Sequence, residues 1–142
     1  MADVVSPAEL KRLAEEKELQ KMKEALDQKK KKEEAERHVH DAFFSEEIAP
    51  DAIARLNTQI RRAAEQGQSE VLVAKFPATY CTDHGRAINN FEADWHNTLQ
   101  GKGKRAYDYF KEQLEPQGYK VRAQILDYPD GNLGDVGFFL RW

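Results

Sequence analysis

The 142-residue sequence predicts an α+β fold, or a small α/β fold, in which a long charged helix precedes a three-stranded sheet with packed helices. Three observations support this prediction. The composition changes near residue 41, from mostly charged to mixed apolar and polar. Apolar residues then recur at helical spacing, and two C-terminal segments alternate apolar and polar side chains as strands do. We therefore assign residues 1–41 to a charged arm and residues 42–142 to a compact domain.

The charged arm is predicted to be helical wherever it is ordered. Residues 1–40 contain ten basic and ten acidic side chains, and neither Gly nor Pro follows Pro7 in this stretch. Serine caps the free N–H groups of a first helical turn, and proline fits the first helical position, so Ser6 and Pro7 predict a helix start.

Apolar residues at helical spacing are few in the arm: Leu10, Leu13, Leu19, Met22 and Leu26. We predict that Leu19, Met22 and Leu26 contact a protein partner or a second copy of the chain. Their face stops early, because lysine and glutamate occupy the next positions, 29 and 33. A coiled coil needs three or four apolar heptads, so a solvated, fraying arm is the competing interpretation.

The compact domain is predicted to begin with a helix and a strand. Apolar residues three and four apart indicate a helix over Pro50–Gln66, which Gly67 ends by adopting a left-handed backbone. The β-rich run Ser69–Phe76 is predicted to be a strand that Pro77 ends, buried on both faces.

Two more helices are predicted in the middle of the domain. Thr82 or Asp83 caps the first, which ends at Gly101. Its predicted buried residues are Ile88, Phe91, Trp95 and Leu99. The second helix covers about Lys104–Glu115, and its predicted buried residues are Tyr107, Phe110 and Leu114.

Alternating residues predict two further strands, Tyr119–Ile125 and Val136–Trp142. The segment Tyr128–Gly134, which contains Pro, Asp, Gly and Asn, predicts a looped hairpin between them. If the first strand lies parallel to the second, the helices between them form a right-handed crossover.

Composition excludes several classes of protein. Lys plus Arg number 22 and Asp plus Glu 25, so the net charge of −3 does not provide an overall basic surface for nucleic acid. A single cysteine cannot form an intramolecular disulfide, which is typical of a reducing compartment. With neither a secretory signal nor a membrane-spanning apolar run, the chain is predicted to be cytoplasmic and not bound to membrane.

The densest polar cluster, Thr79–Arg86, follows the first strand of the compact domain. Cys81 is the candidate nucleophile here, with His84 as base and Asp83 as the group that orients it. That role requires a lowered thiol pKa, from a helix N-terminus or from neighbouring cations. The competing interpretation is a buried small thiol beside an Asp83 cap.

Two basic groups are candidate anion sites. The first joins Arg86 to the N–H groups that open its helix. The second is Gly101–Arg105, where Lys102, Lys104 and Arg105 suit a phosphate backbone. A solvated loop is the competing interpretation of this basic run, and the phosphate-binding loop pattern of nucleotide hydrolases is missing from it.

The sequence predicts neither a metal site nor a cofactor. His38 and His40 lack an identifiable third ligand, and the aspartates of the 127–135 loop lack the spacing of a calcium-binding loop.

One resemblance covers roughly the last 70 residues and leaves out the charged arm. Its residues are Phe76-Pro77, Cys81-Thr82-Asp83, Gly85-Arg86-Ala87-Ile88-Asn89-Asn90, Tyr128-Pro129, Gly131, Gly134-Asp135-Val136-Gly137, Phe139-Leu140 and Trp142. With these residues the chain resembles small uncharacterised bacterial proteins that have no assigned activity. The resemblance therefore implies neither a substrate nor a site.

The leading prediction is a non-enzymatic interaction module, a small domain whose helical arm binds a protein partner or mediates self-association. One alternative is binding of nucleic acid or a phosphate ligand through Gly101–Arg105. The other is a cysteine-dependent enzyme that uses Cys81 and His84.

Overall fold

The computed structural model describes residues 3–142 and confirms the α+β fold. The chain divides into two compact units, one ending at Ala42 and the other formed by Phe43–Trp142. Within residues 3–142, no helix combines the length and the apolar character needed to cross a membrane.

The first helix, α1, spans Pro7–Ser45 and has 39 residues. Its start is as predicted, because the Glu9 N–H donates a hydrogen bond of 3.2 Å to Ser6 Oγ. All side chains from Asp3 to Asp41 are exposed. A helix that is polar on most of its surface is supported by its own charged neighbours rather than by a core.

The second helix, α2, spans Ala52–Glu65 and ends as predicted. Gly67 adopts a left-handed backbone with φ of 80°. This conformation lets the N–H groups of Gly67 and Gln68 reach the last carbonyl groups of α2, those of Ala64 and Ala63.

Three antiparallel strands form the sheet in the order β1-β3-β2. They are β1 (Glu70–Pro77), β2 (Lys120–Ile125) and β3 (Asp135–Arg141). The looped hairpin between β2 and β3 is confirmed. The parallel crossover is absent from the described chain, since β3 lies between β1 and β2 and pairs antiparallel with both.

The core lies on one face of this sheet. Val136, Phe138 and Leu140 of β3 are at most 3% exposed there, and buried side chains of the helical segments pack with them. On the opposite face, Phe139 lies under the Arg122 guanidinium, 4.3 Å from its ring centroid, and Leu72 is exposed. The prediction that β1 is buried on both faces is therefore wrong.

The predicted helix from Thr82 or Asp83 to Gly101 is also wrong. The helix found there, α3, contains only Arg86–Asn89. Phe91 has a left-handed backbone and is 73% exposed, although its spacing predicts burial. A short 3₁₀ turn, Trp95–Thr98, then brings Leu99 into the core. The apolar residues are thus spaced as they would be in one helix, although two short separate elements, α3 and the 3₁₀ turn, carry them.

The last helix, α4, spans Gly101–Tyr109 and begins three residues before the predicted start at Lys104. It continues into a π-helical turn, Phe110–Leu114. Phe110 is buried as predicted, and Tyr107 and Leu114 are half-buried. The predicted loop Gly101–Arg105 is consequently the first turn of a helix.

Candidate functional site

A groove of about 850 Å³ is lined by α2, α4 and the core face of the sheet. Ile53 and Leu56 contribute from α2, Ala106 from α4, and Val73 and Phe138 from the sheet. We call this feature, defined by these five residues, the apolar groove. Its volume lies within the range of about 300–1,000 Å³ that is typical of ligand sites.

Small side chains keep the apolar groove open. Ala52, Ala74 and Ala106 line it from three different elements, and an alanine methyl group extends little beyond the backbone. Ile53 also lines the groove and is 43% exposed. An exposed aliphatic side chain in a concave apolar surface is a feature of interaction sites.

The π-helical turn Phe110–Leu114 forms part of the same lining. A π-helical turn is wider than an α-helical turn and occurs frequently at functional sites. Phe110 is buried, whereas Glu112 is exposed and contributes to the charged edge of the groove.

Charged side chains of both signs border the apolar groove. Arg55 belongs to α2, whereas α4 and the π-helical turn contribute the cations Lys102 and Arg105 as well as the carboxylates of Asp108 and Glu112. Arg55 lies 3.7 Å from Asp51, and Asp108 lies 3.4 Å from Lys104. Exposed ion pairs of this kind contribute about 0–1 kcal/mol, so a partner can displace them at little cost.

The basic residues of the first α4 turn contact oxygen atoms of the domain itself. Lys102 lies 3.3 Å from the Glu46 carboxylate, and Arg105 donates a hydrogen bond of 2.8 Å to the Glu46 carbonyl oxygen. Lys104 pairs with Asp108 within the helix. These contacts attach the chain that follows α1 to α4.

Arg86 lies on α3 and is exposed, on a different element from the other three predicted anion-binding residues. The N–H groups of Gly85, Arg86 and Ala87 at the start of α3 are already bonded to Asp83. Asp83 accepts hydrogen bonds from the N–H groups of Gly85, at 3.0 Å, and Ala87, at 2.8 Å. The Asp83 carboxylate therefore occupies the place of an added anion. The N-cap position of α3 is held by Gly85, so the prediction of Thr82 or Asp83 as the N-cap residue is wrong.

Cys81 is 2% exposed and lies in the hydrophobic core. Burial raises the pKa of its thiol to about 11, because the thiolate loses hydration; Asp83 adds to this rise, and a hydrogen bond with Thr98 opposes it. The shift has the opposite sign to the lowered pKa that the cysteine alternative requires. His84 is exposed, and Asp83 is engaged with backbone N–H groups.

We expect native Cys81 to be alkylated by iodoacetamide much more slowly than the same thiol in urea.

The raised pKa of the Cys81 thiol also predicts how stability depends on pH. The free energy of unfolding should fall above pH 9 and level off near pH 11, because the thiol of the unfolded chain loses its proton at lower pH than the thiol of the folded chain. The loss should be on the order of 2 kcal/mol. Alkylation rates and urea unfolding at several pH values measure both effects, with Cys81→Ala as the control. A native rate equal to the unfolded rate contradicts the prediction.

Leu19, Met22 and Leu26 are 57%, 68% and 58% exposed on α1. At about 100° per residue, they share one side of the helix, and Leu10 and Leu13 project from the other side. These five residues therefore form two separate apolar patches.

His38 and His40 lie on α1, where two residues of helix separate the directions of their side chains by about 200°. Within residues 3–142, no group of three or more His, Cys, Asp or Glu side chains is arranged to hold a metal ion.

A second cavity, of about 550 Å³, shares Tyr107 and Phe110 with the apolar groove. His96 stacks on Tyr107 there, with ring centroids 5.0 Å apart. Lys111 lies 3.0 Å from Glu115, and this hydrogen bond raises the pKa of Lys111 by stabilising the ammonium group. Lys111 and Glu115 thus neutralise each other, and Lys120 is a further charged residue of this lining. The apolar groove is the stronger candidate because its volume is larger.

No protein-family model, curated protein or solved structure matches this sequence. Any function of the chain is therefore inferred from its own residues. The sequence predictions do not include the apolar groove. The residues that could have indicated the groove are Ile53 and Leu56 on one helix and Ala106 on another. Their spacing within each helix does not show that the two helices leave a gap between them.

Proposed function

We propose that this chain is a protein-interaction module whose apolar groove binds the apolar face of a helical protein segment. The observation that supports the proposal is a groove of about 850 Å³, with apolar walls, that the domain leaves unfilled. Helix-binding grooves of this kind take apolar anchors spaced three, four and seven residues apart.

The borders of the apolar groove supply specificity. A helix in the groove places one flank beside Arg55 and the other beside α4, whose lining carries the cations Lys102 and Arg105 as well as Asp108 and Glu112. A segment with charged flanks therefore meets charged side chains on both walls. This arrangement favours a protein partner over a purely apolar small molecule.

The alternatives predicted from the sequence receive less support. Lys102 and Arg105 are bonded to the chain that follows α1, which leaves fewer donors for a phosphate. The buried Cys81 thiol has a raised pKa, which lowers the fraction of reactive thiolate.

We expect Ile53→Asp to weaken binding of amphipathic helical peptides at least about tenfold, because it places a charge in the apolar groove. The ligands are peptides selected against the full chain from a displayed helix library, and fluorescence anisotropy measures their affinity. Ile53 is 43% exposed, so the variant should remain folded, which circular dichroism checks.

Ala54→Asp is the matched control. It adds the same charge to the next residue of α2, which is exposed and outside the groove lining. It should change affinity by less than about twofold. Equal losses in the two variants, or a library that yields no groove-binding peptide, would overturn the proposed function.

A further inference from the structure

We infer that one end of the sheet binds single-stranded nucleic acid, a function that goes beyond the proposed helix-binding groove. The site lies where β2 begins and β3 ends, and it combines three cations with two aromatic side chains: Lys120, Arg122, Arg141, Tyr119 and Trp142. We call these five residues the basic end of the sheet. Proteins bind single strands with the same two elements, cations for the phosphates and flat side chains for the bases.

Two cations of the basic end lie directly opposite each other. Lys120 and Arg141 are partners in the β2–β3 ladder, and both are exposed. Within residues 3–142, neither forms an ion pair. The acidic residue of β3, Asp135, lies six residues from Arg141, which is about 20 Å along the strand. Like charges directly opposite each other destabilise a sheet, so an anion bound at this pair relieves a repulsion.

The acidic side chains that adjoin the basic end are already paired. Glu70 lies opposite Arg141 on β1, but its carboxylate accepts hydrogen bonds from Arg122, of which the one from Nε is 3.0 Å long. Glu115 borders the second cavity beside the start of β2 and is paired with Lys111. The cross-strand pair of cations therefore remains as an excess of positive charge, which favours an anionic partner.

Flat side chains adjoin the cations of the basic end. Trp142 is 42% exposed, and its ring centroid lies 6.5 Å from that of Tyr119. The Arg122 guanidinium lies 4.3 Å from the centroid of the Phe139 ring, and Glu70 holds it there. Unpaired bases stack on aromatic rings and on guanidinium groups. This combination favours a nucleic acid over a polyanion that has no bases.

The basic end differs from the basic run that opens α4. There, Lys102 and Arg105 contact oxygen atoms of Glu46. The net charge of −3 belongs to the whole chain and is distributed over both units. Because salt screens exposed charges beyond about 8 Å, a bound phosphate responds mainly to the cations beside it.

The test measures binding of the full chain to a labelled RNA of about 12 nucleotides, and to DNA of the same sequence, by fluorescence anisotropy. We expect binding of one or both at about 50 mM salt, and weaker binding as salt rises. The double variant Lys120→Ala, Arg141→Ala should raise the dissociation constant at least about tenfold and reduce the salt slope by about 1–2. Its melting temperature should not fall, because the variant removes a repulsion.

The double variant Arg61→Ala, Arg62→Ala is the matched control. It removes the same charge from exposed positions of α2, which lies on the core side of the sheet, and should change the dissociation constant by less than about threefold. Trp142→Ala tests stacking. It should weaken binding of the oligonucleotide at least about fivefold and leave binding of inorganic polyphosphate, which has no bases, unchanged. Circular dichroism checks that each variant is folded.

Four results would overturn the inference. They are no binding of either oligonucleotide at about 50 mM salt, equal losses in the two double variants, unchanged affinity in Trp142→Ala, and polyphosphate binding as tight as that of the oligonucleotides. The apolar groove is tested with peptides and with other variants, so each of these results leaves the proposed function standing.

Discussion

Phe138→Ala is expected to lower the free energy of unfolding of the Phe43–Trp142 unit by about 4 kcal/mol. Phe138 is 3% exposed at the centre of the core face, with its ring centroid 5.3 Å from that of Phe76 and 6.0 Å from that of Trp95. Removing the ring leaves a cavity between strands and helices that are held by several other contacts. A domain of this size has about 5–15 kcal/mol of stability in total, so the loss is a large fraction.

Urea unfolding followed by tryptophan fluorescence measures this change. Both tryptophans, Trp95 and Trp142, belong to the Phe43–Trp142 unit, so the signal reports that unit and not the arm. Circular dichroism of the sheet checks the result, because Trp95 contacts the mutated site.

Phe139→Ala is the control that tests whether the core lies on only one face of the sheet. Phe139 is the next residue of β3 and lies on the opposite face, half-buried under Arg122. Its loss removes a stacking contact worth about 1 kcal/mol and leaves no enclosed cavity. If Phe139→Ala costs as much as Phe138→Ala, the core does not lie on one face as described.

Gly101→Ala is expected to cost about 3 kcal/mol of unfolding free energy. Gly101 has a left-handed backbone, with φ of 54°, at the start of α4. A methyl group there would lie 2.5 Å from the Phe43 carbonyl oxygen and 3.0 Å from Phe44 Cα. These neighbours are backbone atoms, so relief of the clash requires a shift of the backbone at Phe43 and Phe44.

The expected cost of Gly101→Ala has two parts, the strain of a left-handed backbone and the clash with Phe43 and Phe44. Gly67→Ala measures the first part alone. Gly67 is also left-handed, but an added methyl group would meet no atom within 4 Å. Its variant should cost only the backbone strain, about 1 kcal/mol. Thermal unfolding of both variants gives the difference, and equal costs would show that the contact between Gly101 and Phe43 does not contribute.

Stability and proposed binding are tested at different residues of the domain. Phe138 and Gly101 are held by close packing, whereas Ile53 is substantially exposed. A charge substitution at this exposed position can therefore test binding without unfolding the domain. Surface substitutions away from packed features commonly change stability by less than about 0.5 kcal/mol.

The sequence by itself determined the elements that short segments specify. The Ser6-Pro7 start of α1, the Gly67 stop after α2 and the β2–β3 hairpin all follow from local rules. Capping, left-handed glycine and alternation each involve residues a few positions apart, so one short window contains the whole signal. The hydrogen bonds of the Asp83 carboxylate are also local, because they reach only as far as Ala87.

Other properties were decided only by the tertiary structure. Phe91 continues a helical spacing and is nevertheless exposed, because the helix ends at Asn89 and the core is reached again at Leu99. The cations Lys102 and Arg105 find their oxygen partners near Glu46, more than fifty residues earlier in the chain. The apolar groove likewise depends on the separation of α2 from α4 above the sheet. Contacts between distant segments create these properties, and the spacing of residues within one segment does not encode them.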